Sequence, residues 1–150
     1  MTIAIINGPN LNLLGKRDPE IYGSETLNDI MDNLQKNFPV HEFIFFQSNH
    51  EGEIIDFLQA MRDDSKVKGI VINPGAYAHY SYAIADALRD IKGLKPAVEV
   101  HISNIHAREE FRHTSVTAPC VEAVIAGAGI NGYILGVTHL IHLNNIDLKI

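Results

Sequence analysis

The stretch that decides the fold is Ile3-Ala-Ile-Ile6, followed by Asn7-Gly-Pro-Asn-Leu-Asn-Leu-Leu-Gly-Lys-Arg-Asp-Pro-Glu-Ile-Tyr-Gly23. The apolar run predicts a buried strand. The segment behind it contains two prolines, three glycines and three asparagines, which disfavour any long helix or strand. Segments of this length without regular structure are usually functional lids or disordered. Because this one combines three leucines with Arg17 and Tyr22, we interpret residues 8–23 as a lid loop over a site.

Working outward from this stretch, apolar runs alternate with stretches of helical periodicity. Alternation of this kind predicts a parallel sheet with helices on both faces, since parallel strands need crossover connections. We therefore expect an α/β fold, a flavodoxin-like three-layer sandwich with a five-stranded parallel sheet, in a single catalytic domain over residues 1–150. The predicted strands are 3–6, 43–46, 67–72, 96–100 and 123–126, and the predicted helices are 26–37, 51–64, 81–91 and 130–143.

Two details of these helices are specific enough to check. Ser24 or Thr26 is expected to cap the first helix. The helix over 81–91 is expected to present Tyr82, Ala85, Leu88 and Arg89 with helical period.

The composition limits the class of protein. Apolar residues make up 46% and charged residues 20% of the 150 residues, which is ordinary for a globular protein and disfavours disorder. The formal net charge of −6 argues against nucleic acid as a partner. No apolar run approaches the length of a membrane span, and no signal segment is recognised, so no membrane partner is expected. Cys120 is the single cysteine, which excludes an internal disulfide and favours a cytoplasmic location.

Polar residues follow the first, third and fourth predicted strands, in segments 7–12, 73–79 and 101–108. In open parallel sheets, ligands bind at the carboxyl ends of the strands. We therefore expect these three loops to converge on one site.

Asn73-Pro-Gly-Ala-Tyr-Ala-His79 joins a predicted strand to a predicted helix. Gly75 permits a tight turn or a close approach of a ligand, and backbone N–H groups near the next helix suit carboxylate or hydroxyl oxygens. The alternative is a plain turn in which Asn73 bonds its own backbone. The residues alone leave both readings open.

Glu99-Val-His101-Ile-Ser103 ends the fourth predicted strand. His101 is placed as a general acid, and Glu99 lies on the same strand face, where its carboxylate is able to orient the imidazole. The alternative is a histidine satisfied by backbone. A nucleophile–base pair of Ser103 with His101 is disfavoured because no G-x-S-x-G turn surrounds the serine.

Arg108 and Arg112 are four residues apart, a helical spacing that puts both on one face. Two guanidiniums on one face suit a carboxylate or an anionic phenol. The alternative is a solvated face paired with Glu109 and Glu110. His139 and His142 have a spacing compatible with a metal, but no cysteine or carboxylate accompanies them, so no metal site is expected. Gly127-Ala-Gly129 is too short for a dinucleotide motif.

Taken together, four motifs closely resemble the type II 3-dehydroquinate dehydratases. They are residues 7–15, Arg17-Asp-Pro-Glu-Ile-Tyr-Gly23, Ile72-Asn-Pro-Gly-Ala-Tyr77 and residues 99–112. The resemblance implies a flavodoxin-like fold and dehydration of 3-dehydroquinate to 3-dehydroshikimate in the shikimate pathway, without cofactor or metal. It also implies a homododecamer of four trimers. Departures from the family's usual residues occur at Ala78, Tyr80, Thr114, Val116 and Ala123.

The resemblance also implies roles for individual residues. Tyr22 would be the base, His101 the acid and Arg17 a stabilising cation on the lid. Arg108 would lie near the phenol, Asn10 would hold a water that stabilises the enolate, and Glu99 would support His101. The residues implied to bind substrate are Asn73, His79, Ile102, Ser103 and Arg112, with Asp86 reaching into a neighbouring subunit's site.

The chemistry explains why a basic residue and a phenol would share one closable loop. A free phenol, with a pKa near ~10, is almost entirely protonated at neutral pH. Arginines in a site dried by a closed lid favour the anion, whereas exposed arginines do so far less. The sequence leaves open whether the reaction serves biosynthesis or quinate breakdown. A non-enzymatic flavodoxin-like binding module and a Ser103 hydrolase are the rival interpretations.

Overall fold

The computed structural model describes residues 1–146, in which five parallel strands alternate with helices. The strands are β1 (Thr2–Asn7), β2 (Glu42–Gln47), β3 (Val67–Asn73), β4 (Ala97–His101) and β5 (Ala123–Ala126). The helices are α1 (Pro19–Tyr22), α2 (Leu27–Asn37), α3 (Glu51–Asp63), α4 (Tyr82–Ile91) and α5 (Asn131–Ile146). The strand order β2-β1-β3-β4-β5 is the flavodoxin-like order, so the predicted fold is confirmed.

The sheet is covered on both faces, which explains why its central strands are continuous apolar runs. In β1, Ala4 and Ile6 pack into one core with α3 and α4. Ile3 and Ile5 pack into a second core with α2 and α5. All four side chains are fully buried. The three layers follow directly from this alternation of side chains along each strand.

The helix termini agree with local chemistry. Thr26 caps α2, because its hydroxyl accepts from the backbone N–H of Asp29 while the Asp29 carboxylate accepts from that of Thr26. The residues expected to recur with helical period do lie in α4, but only two of the four belong to its buried face. Tyr82 and Arg89 are exposed, and the buried face consists of Ile84, Ala85, Leu88 and Ile91. A face that contains Ile84 and Ile91 buries more apolar surface than one that contains Tyr82 and Arg89, and this difference decides the orientation of the helix.

The helical spacing expected of Arg108 and Arg112 is absent. Short 3-10 turns occupy Ile105–Ala107 and Glu110–His113, and Arg108 between them has an extended backbone. The Asn104 side chain accepts from the backbone N–H of His106, a local bond that competes with continuous helix. The two arginines are therefore brought together by the path of the loop.

Cys120 is buried. None of the helices in the described part of the chain is long and apolar enough to cross a membrane.

Candidate active site

A cleft with a volume of about 50 Å³ lies at the carboxyl edge of the sheet. The loops that follow β1, β3 and β4 form its walls, so the predicted convergence of these loops is found in the structure. The cleft is lined by nine of the residues singled out from the sequence: Asn10, Arg17, Tyr22, Asn73, His101, Ile102, Ser103, Arg108 and Arg112.

A backbone hydrogen bond joins two of the loops that line the cleft, those that follow β1 and β3. The N–H of Gly8 donates to the carbonyl of Asn73 at 2.8 Å. A Cβ on Gly8 would lie 2.5 Å from the carbonyl oxygen of Pro74, so only glycine fits here. The loops after β1 and β3 are thereby held against each other.

Asn73 makes the turn that the sequence offered as one reading, and ligand binding by this loop stays a prediction. Its Oδ1 accepts from the backbone N–H of Gly75 at 3.1 Å, in a turn that places Gly75 at φ 59. Its Nδ2 donates to the Tyr133 hydroxyl at 3.0 Å, and that hydroxyl donates to Asn7 Oδ1 at 2.5 Å. The Asn73 amide is therefore fixed on both sides while it lines the cleft.

The Tyr22 ring lies between two guanidiniums. The Cζ atoms of Arg17 and Arg108 are each 5.2 Å from the ring centroid. Tyr22 is the last residue of α1, a single turn that begins at Pro19. Gly23, which follows the helix, has φ 79. Asp18, which precedes the helix, adopts φ 38, an uncommon value for a residue other than glycine. The lid backbone thus carries local strain at the turn that presents the phenol.

The two arginines beside Tyr22 are held differently. Arg108 is 14% exposed at its side chain and donates from Nη1 to Ser103 Oγ at 3.0 Å. Arg17 is 34% exposed and has a longer contact of 3.5 Å with Asp18. Arg108 is therefore the more buried and more closely bonded of the two guanidiniums, and Arg17 belongs to the segment 8–23.

His101 is paired with a buried carboxylate. Its Nε2 lies 2.7 Å from Glu99 Oε1, and the two side chains are 5% and 0% exposed. The other carboxylate oxygen, Oε2, accepts from the Thr117 hydroxyl at 2.5 Å. A carboxylate accepts both bonds when it is ionised, and Nε2 of His101 is then the nitrogen that carries the hydrogen in this pair.

His79 lies behind His101, and it is not part of the cleft lining. The ring centroids are 6.0 Å apart, and Nδ1 of His79 lies 2.8 Å from the carbonyl oxygen of Thr114, to which it donates. Nε2 is buried and has no hydrogen-bond partner among residues 1–146. Burial lowers the pKa of His79, and the nearby His101 and Arg112 act in the same direction.

Arg112 and Asn10 both line the cleft. Arg112 donates from Nε to Glu109 Oε2 at 2.7 Å, and this bond lowers the pKa of Glu109. The predicted alternative of pairing with Glu109 is therefore present, although Arg112 also lines the cleft. Asn10 has φ 67 and donates its backbone N–H to Asn49 Oδ1 at 2.9 Å.

Asp86, which the resemblance also implies for a site, does not line the cleft. It is exposed on α4, pairs with Arg89 at 2.5 Å, and borders a groove between α3 and α4. His139 and His142 lie on α5, and no group of three or more metal-ligating side chains occurs in residues 1–146.

Sequence reasoning missed Thr117 and Tyr133, both buried in contact with residues of the site. Thr117 is 18 positions from Glu99, and Tyr133 is 60 and 126 positions from its partners. No short motif spans such distances, so a pattern in one sequence gives no signal for either contact.

An imidazole held by a buried carboxylate, facing the same cleft as a phenol flanked by cations, is equipped for proton transfer. The cleft also lies beside the switch in strand order between β1 and β3, where this kind of sheet binds ligands. By class, then, the protein is an α/β enzyme that uses acid–base chemistry.

Comparison with known proteins identifies the family. The family model described as "Dehydroquinase class II" matches residues 1–141, and the chain belongs to this family. A 3-dehydroquinate dehydratase from Halalkalibacterium halodurans is 51% identical over 142 residues, covering 93% of this chain and 95% of that protein. Another from Streptomyces coelicolor is 53% identical over 140 residues, covering 92% and 87%. The crystal structure of a type II dehydroquinase from Butyrivibrio crossotus superposes with a TM-score of 0.89 at 48% identity, covering 93% and 97%.

Proposed function

We propose that this chain catalyses the loss of water from 3-dehydroquinate to give 3-dehydroshikimate, through an enolate and in the shikimate pathway of aromatic amino acid biosynthesis. Membership of the family and the names of its relatives support the reaction. The observation that carries the mechanism is the position of the Tyr22 ring, which lies 5.2 Å from each of two guanidiniums in the cleft that also contains His101.

Tyr22 acts as the base that removes a proton next to the substrate ketone. A phenolate is a strong enough base, but it needs stabilisation to exist at neutral pH. Arg17 and Arg108 supply positive charge on the ring, and closure of the lid strengthens this effect because it removes water. Arg17 reaches the ring from the lid itself, so the base is most strongly activated when the lid is closed.

His101 acts as the acid. It protonates the departing hydroxyl, because water is a far better leaving group than hydroxide. Glu99 keeps the imidazole oriented and stabilises its positive charge through the bond at 2.7 Å. Asn10 holds a water that stabilises the enolate oxygen as negative charge develops.

The remaining polar groups bind the substrate. Arg112 pairs with the substrate carboxylate, exchanging its contact with Glu109 for the ligand. Asn73, Ile102 and Ser103 line the cleft and contact substrate oxygens. His79 offers its unpartnered Nε2 to a hydroxyl, which accounts for a buried polar atom that otherwise lacks a bond.

We also propose a homododecamer of four trimers, in which Asp86 of one subunit completes the site of its neighbour. The exposure of Asp86 on α4, away from this chain's own cleft, supports this role. The exposed Tyr80 and Tyr82 beside it suit a surface that is covered in an assembly. A cytoplasmic location agrees with the single, unpaired Cys120.

A direct assay tests the reaction. The purified chain is mixed with 3-dehydroquinate, before and after treatment with borohydride, and the absorbance of the conjugated product is followed. No lysine lines the cleft within the described residues, so no imine should form and borohydride should leave the rate unchanged. Absence of an absorbance increase would contradict the proposed reaction, and inactivation by borohydride in the presence of substrate would contradict the mechanism.

A further inference from the structure

A buried hydroxyl stands behind the Glu99–His101 pair and has no role in the scheme so far. Thr117 and Glu99 are both 0% exposed, and the Thr117 hydroxyl donates to Glu99 Oε2 at 2.5 Å. Glu99 Oε1 faces His101 Nε2 at 2.7 Å. We propose that Thr117 is a positioning residue, which fixes the Glu99 carboxylate so that the carboxylate in turn fixes His101. This inference rests on the proposed role of His101 as the acid.

The hydrogen bonds around Thr117 have one consistent direction. A threonine hydroxyl has a single hydrogen, and an ionised carboxylate is only an acceptor, so this hydrogen points to Glu99. Ser115 Oγ lies 3.3 Å from Thr117 Oγ1 and accepts from the backbone N–H of Ala118 at 3.0 Å. In any bond between the two hydroxyls Thr117 is therefore the acceptor, although the Ser115 hydroxyl also lies 3.3 Å from the carbonyl oxygen of Ala78, to which it donates. The direction that is fixed is the donation from Thr117 to Glu99, whose other oxygen meets the donor from His101.

The segment that contains Thr117 is anchored independently of Glu99. The backbone N–H of Val116 donates to the carbonyl of Ala78 at 2.8 Å, which ties the segment to the loop after β3. The N–H of Cys120 donates to the carbonyl of Thr117 at 2.8 Å, at the start of a 3-10 turn. Thr117 is also β-branched, which restricts its side-chain rotamers. The position of the hydroxyl is thus fixed by contacts other than its own bond to the carboxylate.

Loss of this hydroxyl would leave Glu99 Oε2 buried without a partner. A buried unpaired acceptor is costly, and the carboxylate would turn or admit water to recover a bond. Either change loosens His101 while leaving the substrate-binding groups in place. The expected effect is therefore on kcat, with a fall of about 10- to 100-fold, and KM should change less than about 3-fold.

Two matched pairs of proteins isolate the hydroxyl. Wild type and Thr117→Val have side chains of nearly the same shape, and Thr117→Ser and Thr117→Ala both lack the methyl group. In each pair only one member has the hydroxyl. In each pair we expect kcat to be about 10- to 100-fold higher in the protein that has the hydroxyl than in the one that lacks it. The kcat of Thr117→Ser should lie within about 3-fold of wild type. Thr138→Val is the control, since Thr138 is exposed on α5 and its hydroxyl bonds only Ile134 of its own helix.

Steady-state kinetics with 3-dehydroquinate decide between the outcomes, with circular dichroism as the check on folding. The proposal is overturned if Thr117→Val keeps wild-type kcat. It is also overturned if the Ser and Ala variants are equally impaired, which would mean that Thr117 only fills space. If Thr117→Val does not fold, the Ser and Ala pair gives the same decision. A wild-type protein without activity would contradict the proposed function instead, so the two failures are distinguishable.

Discussion

At the scale of single residues, the base and the acid differ in the charge of their neighbours. The Cζ atoms of Arg17 and Arg108 are each 5.2 Å from the centroid of the Tyr22 ring. The Glu99 carboxylate lies 2.7 Å from Nε2 of His101. The proposed mechanism therefore assigns the base to the ring beside the cations and the acid to the ring beside the carboxylate.

His79 gives a prediction about pH and stability. Burial lowers its pKa from the ordinary value of 6.5, so the unfolded chain binds a proton at this position more readily than the folded protein. The contribution of neutral His79 to the free energy of unfolding is fully present above about pH 6.5, and it is lost as the pH falls toward the lowered pKa. We therefore expect the free energy of unfolding to fall less between pH 7.5 and pH 5.5 in His79→Gln than in wild type.

Urea unfolding at the two pH values measures this difference, and the other titrating groups cancel because both proteins share them. An equal loss of stability in wild type and His79→Gln would show that His79 does not titrate differently on folding.

At the scale of elements, residues 8–23, which we propose as the lid, have a fixed start and a less packed remainder. The N–H of Gly8 donates to the carbonyl of Asn73, so the start of the segment forms a rigid wall with the loop after β3. The remainder consists of short turns, in which Leu11 and Leu14 are buried and Leu13 and Ile21 are exposed. Elements with few buried contacts are those that open most easily, so the proposed opening belongs to this remainder.

Gly8→Ala tests the rigid wall. The added Cβ would lie 2.5 Å from the Pro74 oxygen and 2.7 Å from its carbon, both of which are backbone atoms. The loops must separate, so we expect a loss of about 2–4 kcal/mol in the free energy of unfolding and severe loss of activity.

Gly52→Ala is the matched control. Gly52 lies in α3 with nothing within 4 Å of an added Cβ, so this change should stabilise the protein by about 0.5–1 kcal/mol. Urea unfolding compares the two variants. Equal stability of Gly8→Ala and wild type would contradict the contact between the loops.

The elements also show what the sequence is able to predict. Central strands such as β3 were recognisable because both of their faces are covered, which requires a continuous apolar run. The site was recognisable because the carboxyl ends of parallel strands meet at one edge. The exposure of Tyr82 was missed because an amphipathic ring satisfies a helical pattern without being buried. Thr117 was missed because its bond to Glu99 depends on the path of an irregular segment.

At the scale of the whole molecule, the proposed acid and base line one cleft of the chain, whereas Asp86 borders a different groove, between α3 and α4. In the proposed assembly a site consists of one subunit's Tyr22 and a neighbour's Asp86. Because each site then needs residues from two subunits, two subunits that are inactivated at different residues are able to complement each other. A site made by a single chain does not have this property.

Mixing Tyr22→Phe and Asp86→Ala subunits tests this arrangement. After the two variants are unfolded together and refolded at equal amounts, about one quarter of the sites should contain both intact residues. Activity of the mixture is therefore expected to exceed that of either variant refolded alone. A mixture with only the average activity of its two components would mean that Asp86 does not complete a neighbouring site.

The measurement that tests the central claim most directly is the turnover of Tyr22→Phe. This change removes only the phenolic oxygen, so the ring should keep its place between Arg17 and Arg108 and the melting temperature should be unchanged. With the base removed, kcat is expected to fall by at least about 10³-fold while KM stays similar. Turnover within about tenfold of wild type in a folded variant would contradict Tyr22 as the base.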